Sequence, residues 1–133
     1  MMPIGIIACA FGQQDTNTAG PSNEAIAQVA LEIKGMTNGV ISTQWEVQAH
    51  MEMIGESADH IVSEYGTPSH YVTTEQVFAR SLAYFKTVGV TEVVIVAQPM
   101  HLKVIRLVMK DWVADSGLTF TREYDHMMHR IPF

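Results

Sequence analysis

The chain has 133 residues, enough for one domain with one core, and its 47% hydrophobic and 17% charged residues exclude an intrinsically disordered protein. The formal net charge is −6 without any basic run, so binding to the phosphate backbone of nucleic acid is not expected. The single cysteine, Cys9, excludes an internal disulfide and fits a reducing compartment. The N-terminus lacks the positive region of a signal peptide, and no window reaches the ~18 apolar residues of a membrane span. These features predict a cytoplasmic protein without a membrane segment.

The first third of the chain predicts a strand, a helix and a second strand. Residues 4–10 form a short, Ile-rich apolar run that ends before Gly12, which is typical of a strand buried on both faces. A helix is predicted from Pro21 to a stop at Gly35. Its apolar positions at helical spacing are Ile26, Val29, Ala30 and Ile33. Residues 39–43 predict the second strand.

The middle of the chain predicts two helices and a weak strand. The first helix is predicted from an apolar stripe that ends before Gly66. The stripe consists of Met51, Ile54, Ala58, Ile61, Val62 and Tyr65. Residues 69–72 predict a weak third strand. Thr73 and Gln76 have the spacing of a capping box, and the helix that they open runs to Gly89 with Phe78, Leu82 and Phe85 as apolar positions.

The last third predicts a strand at 92–97, a helix over about 100–114 and an alternating edge strand at 118–124. The apolar positions of this helix are Leu102, Ile105, Val108, Met109 and Trp112, and Gly117 follows it. Strands and helices thus alternate along the whole chain, which predicts a three-layer Rossmann-like α/β fold. We expect one domain over residues 1–133, built on a mostly parallel sheet of about five strands.

The polar residues that follow the predicted strands are the candidates for a ligand site, because open parallel sheets bind ligands outside the carboxyl ends of their strands. After the four inner strands these are Gly12, Gln13 and Asn23; Ser42, Thr43 and Trp45; Thr73, Glu75 and Gln76; and Gln98 and His101. Each segment leads into a predicted helix, whose free N–H groups favour an anionic or strongly dipolar small molecule.

His101 is the main candidate for chemistry. It falls in the first turn of a helix directly after the most apolar strand, where a neutral imidazole can donate or accept a proton. Glu75 is the candidate charge partner. Several of the other candidates have a purely structural alternative: Thr73 and Gln76 as helix caps, Ser42 and Thr43 as partners of backbone groups, and Trp45 as a packing residue.

Three patterns of enzymatic or metal sites are absent from the sequence. No GxSxG motif provides a serine nucleophile, and Cys9 falls inside the first predicted strand rather than after it. His50, His60, His126 and His129 do not have the spacing of a zinc site. These patterns predict no metal site, and the sequence identifies no cofactor.

Four motifs in order resemble the bacterial YdcF and SanA/ElyC-like family of unknown function. They are "IIACAFG", "VIST", "TTEQ" and "VVIVAQPMH", within residues 4–112. The chain differs from the family pattern in three places. It has no Arg in "SNEA", Thr43 and Gln44 replace a Gly pair, and Val104 occupies a basic position, with Lys103 and Arg106 on either side.

The resemblance implies a Rossmann-like fold with a polar crevice, and one member of the family binds S-adenosylmethionine. The sequence thus favours a small-molecule-binding domain, with or without catalysis, whose ligand is a nucleotide or nucleoside such as S-adenosylmethionine. Two alternatives stay open. One is a phosphoester or pyrophosphate hydrolase of nucleotide or envelope metabolism, and the other is a non-enzymatic interaction protein with a degenerate site. The edge strand near the C-terminus also suggests a homo-oligomer.

Overall fold

A computed structural model describes residues 3–10, 21–63 and 72–132, which form a five-stranded parallel sheet covered by helices. The strands are β1 (Ile4–Ala8), β2 (Val40–Gln44), β3 (His60–Val62), β4 (Glu92–Val96) and β5 (Thr119–Phe120). Their order is β3-β2-β1-β4-β5, and every pairing is parallel. The predicted Rossmann-like α/β fold is confirmed, with an all-parallel rather than a mostly parallel sheet in the described part of the chain.

The helices are α1 (Pro21–Thr37), α2 (Trp45–Met53), α3 (Thr74–Val88) and α4 (Pro99–Asp115), and a 3-10 helix spans Asp125–Arg130. Helix α1 packs against α2, and α3 contacts α4. Because crossovers between parallel strands are right-handed, the two pairs cover opposite faces of the sheet. None of the described helices is both long and apolar enough to cross a membrane.

Strand β1 is the centre of the core. Ile6, Ile7 and Ala8 have no exposed surface, because β2 and β4 flank the strand and helices cover both of its faces. Gly5 lies against the fully buried ring of Phe85 from α3, and a Cβ atom added at Gly5 would stand 2.6 Å from Phe85 Cε2. The glycine therefore lets α3 approach the middle of the sheet.

The helix predicted up to Gly66 is wrong for residues 54–63. Gly55 has φ +78°, a left-handed conformation that ends the helix, and the chain then forms β3. The side chain of Gln48 holds this turn, since its Oε1 accepts the N–H of Ala58 at 2.9 Å and its Nε2 donates to Ser57 Oγ at 3.0 Å.

Among the described residues the third strand is β3 at His60–Val62, and the strand predicted at 69–72 can be compared with the structure only at Val72. Val72 is outside any strand, and residues 69–71 fall outside the described part of the chain. The predicted stop at Gly35 is also wrong. Helix α1 runs two residues further, and Asn38 follows it with φ +58°. Space around Gly35 is open, so nothing in its surroundings ends the helix there.

Helices α3 and α4 confirm their predicted start signals. Thr73 and Gln76 form a reciprocal capping box, and Gly89 ends α3 with φ +78°. Pro99 is the first residue of α4. The apolar stripe predicted for α4 is confirmed in part, because Val108 and Trp112 are 53% and 42% exposed.

The segment after β5 connects the two helical layers. Strand β5 has two residues and lies at the edge, as predicted, but it is shorter than the predicted 118–124. Beyond it, Asp125 pairs with Arg106 of α4, and Arg130 pairs with Glu32 of α1. Met127, Met128 and Ile131 of this segment are buried.

Replacing Gly5 by Ala should destabilise the protein by about 1–3 kcal/mol, because the new methyl group overlaps the Phe85 ring in a packed core. The same Gly→Ala change at Gly35 is the matched control. Nothing there lies within 4 Å of the added Cβ, so alanine should stabilise helix α1 by about 0.5–1 kcal/mol. Urea unfolding measures both variants.

A double variant, Gly5→Ala with Phe85→Leu, tests the cause. If the ring is the obstacle, Gly5→Ala should cost less in the Phe85→Leu background than in the wild type. Equal costs in both backgrounds would contradict steric overlap with Phe85.

Candidate functional site

The strand order reverses between β1 and β4, and this is where the carboxyl ends of two neighbouring strands diverge into helices in opposite layers. Ala8 is in register with Val96, and the N–H of Cys9 donates to the Val96 carbonyl at 2.9 Å. Helix α1 follows β1 in one layer and α4 follows β4 in the other. We call the space bounded by residues 8–10, 21–24 and 97–101 the β1–β4 crevice, the usual ligand position in this topology.

Gln98 and His101 form the β4 side of the crevice. Gln98 is 2% exposed, and its Oε1 accepts the N–H groups of Met100 at 2.9 Å and His101 at 3.1 Å. Gln98 is therefore the N-cap residue of α4, and its side-chain amide oxygen accepts the first free N–H groups of the helix. His101 is half-buried, and desolvation lowers the pKa of its imidazole below the ordinary histidine value. At neutral pH the ring is uncharged, with one nitrogen as donor and the other as acceptor.

Asn23 and Ser22 form the α1 side. Asn23 is completely buried in the first turn of α1. Ser22 is buried as well, and its hydroxyl donates to the carbonyl of Pro132 at 2.7 Å, which ties the C-terminal segment to the start of this helix. The two glycine-loop candidates, Gly12 and Gln13, lie outside the described residues.

Ser42 and Thr43 lie within β2, because the strand continues to Gln44. Thr43 donates its hydroxyl to the Ala8 carbonyl at 2.7 Å, which joins β2 to the end of β1. Ser42 Oγ lies 2.6 Å from Ser81 Oγ and 3.0 Å from His60 Nδ1, so it faces α3. Both serine and threonine are fully buried and connect parts of the core.

Trp45 is the first residue of α2 and not part of a loop. It is 8% exposed, and its indole Nε1 is buried without a hydrogen-bond partner among the described residues. The structure thus gives Trp45 the packing position that the sequence offered as the alternative to a stacking platform.

Thr73, Glu75 and Gln76 lie at the start of α3. Gln76 Oε1 accepts the N–H of Thr73 at 2.8 Å, and Thr73 Oγ1 accepts the N–H of Gln76 at 3.1 Å. Both side chains act as caps. Glu75 is exposed, which is common for a carboxylate in the first turn of a helix, where the helix dipole favours negative charge.

Gln44 and Glu46 are the polar residues of this edge that the sequence did not single out. Gln44 Oε1 accepts the N–H of Ala10 at 3.3 Å, and its Nε2 donates to Glu46 Oε1 at 3.4 Å. Glu46 is 3% exposed. Desolvation raises the pKa of its carboxyl, while the hydrogen bonds from its own backbone N–H and from Gln44 act in the opposite direction. A buried carboxyl with a raised pKa near a strand end is a candidate proton donor.

The second strand ends at Gln44, one residue later than the predicted residue 43. The run "STQWE" passes from strand to helix without an intervening turn, so Gln44 ends β2 and Glu46 falls in the first turn of α2. Both side chains therefore lie near the edge of the sheet where the strands end.

Cys9 directly follows β1 and is not inside the strand, which corrects the sequence prediction. It is 2% exposed, and burial raises the pKa of its thiol to about 12. The protonated thiol is a poor nucleophile at neutral pH. Among the described residues no group of three or more His, Cys, Asp or Glu side chains is arranged to hold a metal ion.

Comparison of the chain with protein-family models, curated proteins and solved structures finds no match. The resemblance to the YdcF and SanA/ElyC-like family therefore stays a prediction from four motifs. Three of these motifs lie entirely in the described part of the chain, and the first is described up to Ala10.

The variant Glu46→Gln should change the pH dependence of stability. Because the folded protein raises the pKa of Glu46, the native state binds its proton more tightly than the unfolded state. This contribution to stability is complete below the unfolded glutamate pKa of about 4.3 and is lost as the pH rises through the higher folded value. The Gln variant should therefore gain free energy of unfolding relative to the wild type as the pH rises from about 4 to 7.

Urea unfolding of both proteins at several pH values measures this difference. Glu75→Gln is the matched control for the substitution itself, since it makes the same change at an exposed carboxyl in the first turn of a helix. A pH-independent difference for Glu46→Gln would contradict the raised pKa.

Proposed function

We propose that the β1–β4 crevice binds a small molecule of the nucleoside or nucleotide class, with S-adenosylmethionine as the preferred candidate. The observation that carries this proposal is the strand order, whose reversal falls between β1 and β4. In open parallel sheets the crevice at such a reversal is the recurrent ligand site, because the two flanking helices leave in opposite layers.

The groups at the crevice support a polar ligand. Two helices begin there, and the first N–H groups of a helix carry partial positive charge. Gln98 fixes the first turn of α4 through two hydrogen bonds and so orients the backbone at His101. The half-buried, neutral imidazole can accept a hydrogen bond from a ribose hydroxyl or donate one to a ring nitrogen.

The charges at this edge favour a cationic or zwitterionic nucleoside over a phosphoester. The described residues at 8–10, 21–24, 44–46, 72–76 and 97–101 include three glutamates, Glu24, Glu46 and Glu75, and no Lys or Arg. The undescribed segments 11–20 and 64–71 contain no Lys or Arg in their sequences either. S-adenosylmethionine carries a sulfonium and an ammonium group, which carboxylates attract. A phosphoester hydrolase, the alternative from the sequence, would need positive charge there.

A reaction in the crevice would use His101 as its acid–base group. A neutral imidazole is ready to accept a proton at physiological pH. The sequence proposed Glu75 as its charge partner. Glu46 is a second carboxyl for a proton-transfer role, because it is buried and its pKa is raised, whereas Glu75 is exposed.

Thermal unfolding with and without ligand tests the proposal. A ligand at about ten times its Kd adds about 1.4 kcal/mol of stability, which raises the Tm of a domain of this size by about 4 °C. We expect S-adenosylmethionine at about 1 mM to produce a shift of this order. The variant His101→Gln should reduce the shift, because its amide cannot reproduce both ring nitrogens.

His126→Gln is the matched control, since His126 is exposed in the 3-10 helix, 25 residues along the chain from His101. This variant should keep the full ligand shift. The proposal is refuted if neither S-adenosylmethionine nor adenosine at millimolar concentration shifts the Tm of the folded wild-type protein.

A further inference from the structure

A second cavity lies at the β5 end of the sheet and has a composition opposite to that of the β1–β4 crevice. It has a volume of about 440 Å³, and the residues that line it come from α4, from β5 and from the segment after β5. Its lining consists of Lys103, Arg106, Leu107, Lys110, Phe120 and Arg122. We call it the basic cavity. It holds four of the eight Lys and Arg residues of an acidic chain and no acidic residue in its lining.

Only one of the four cations in the basic cavity forms an ion pair within the described part of the chain. Arg106 pairs with Asp125, but Lys103, Lys110 and Arg122 form no ion pair with any described residue. Like charges that share a cavity repel one another, and an acidic protein has carboxylates available to separate or pair them. Clustering three unpaired cations is unfavourable by itself and favours the binding of a multiply charged anion.

Arg106 gives the cavity a fixed donor. Its Nη1 donates to Asp125 Oδ2 at 2.6 Å and its Nη2 donates to Asp125 Oδ1, so both ends of the guanidinium are held. Its side chain is 11% exposed, and its Nε is buried without a hydrogen-bond partner among the described residues. Because the ion pair with Asp125 fixes the guanidinium, its charge is held in place beside the cavity.

The remaining lining is apolar. Leu107 is 71% exposed, and Phe120 is half-buried on the edge strand. An exposed leucine beside an aromatic ring and three unpaired cations matches a ligand with a charged end and a flat apolar end. We propose that the basic cavity binds a nucleoside di- or triphosphate, with its phosphates on the Lys and Arg side chains and its base against Phe120 and Leu107.

Calorimetric titration of the full chain with ADP at low salt tests this proposal, which does not depend on the crevice. Lys110→Glu and Arg122→Glu each reverse one unpaired charge and should each weaken ADP binding about tenfold or more. Lys86→Glu changes the net charge equally on the exposed surface of α3 and should leave the Kd within about twofold. All three positions are exposed, so folding should be retained.

Pyrophosphate is the probe for the apolar part of the proposal. It lacks a base and should bind more weakly than ADP. Phe120→Ala should weaken the binding of ADP without changing the Kd of pyrophosphate. Raising the salt concentration should weaken both ligands, because the contacts are mainly between charges.

Four results would overturn the proposal: no heat of binding with ADP at millimolar concentration, equal weakening by Lys86→Glu, pyrophosphate binding as tightly as ADP, or weakening by His101→Gln but not by Lys110→Glu. The last result would assign ADP to the β1–β4 crevice instead. It would therefore refute the basic cavity. The reverse pattern would support the basic cavity and would leave the proposed function, which is tested with S-adenosylmethionine, unaffected.

Discussion

The parallel pairing of β1 with β2 on one side and β4 on the other determines where everything else in the molecule lies. The chain leaves β1 towards β2 and β3 and returns through α3 to the opposite side of β1. Right-handed crossovers then send α1 and α4 into different layers. The close approach of α3 to the sheet depends on Gly5, since any side chain there would meet the Phe85 ring. The packing of β1 thus creates the core, and its carboxyl end is where α1 and α4 leave the sheet in different layers.

Most polar side chains at that end are occupied with holding the fold together. Thr43 and Gln44 connect β2 to residues 8 and 10, and Gln98 caps α4. Buried polar groups need such partners, because an unsatisfied one costs about 1–3 kcal/mol. Side chains that look like ligand contacts in the sequence can therefore be structural in the fold. His101 is the candidate with a titratable ring, which is half-buried at the start of a helix and has a pKa lowered by desolvation.

The elements that could be predicted from the sequence are those whose signals are local. The apolar runs of β1 and β4, the capping box of α3 and the proline of α4 each act within a few residues. The helix predicted across α2 and β3 was wrong because the helical spacing of its apolar residues is a coincidence. These residues are Met51, Ile54, Ala58 and Ile61. Ile54 and Ile61 are exposed, at 61% and 38%, so they never formed one buried face with Met51. The hydrogen bond from the N–H of Ala58 to the side chain of Gln48 defines this turn. The pairing of β3 with β2 positions the strand.

The strand order determines where the candidate site lies, and the sequence could only suggest this order. Which side chains line the site depends on which of them are buried in the core. Whether a Gln or Glu at a strand end faces solvent or the core is decided by residues far along the chain. Glu46 shows this, because its burial depends on the packing of α2 against the rest of the structure and no pattern within "STQWE" reveals it.

The distribution of charge separates two kinds of recognition within one small domain. The β1–β4 crevice combines helix N-termini with neutral polar groups and the carboxylate of Glu24, so a phosphate there would gain only partial charges and would meet a negative charge as well. The basic cavity has the opposite character, with three unpaired cations and a guanidinium fixed by Asp125. Helix α4 therefore contributes side chains to both proposed sites, with His101 at the crevice and Lys103, Arg106 and Lys110 at the basic cavity.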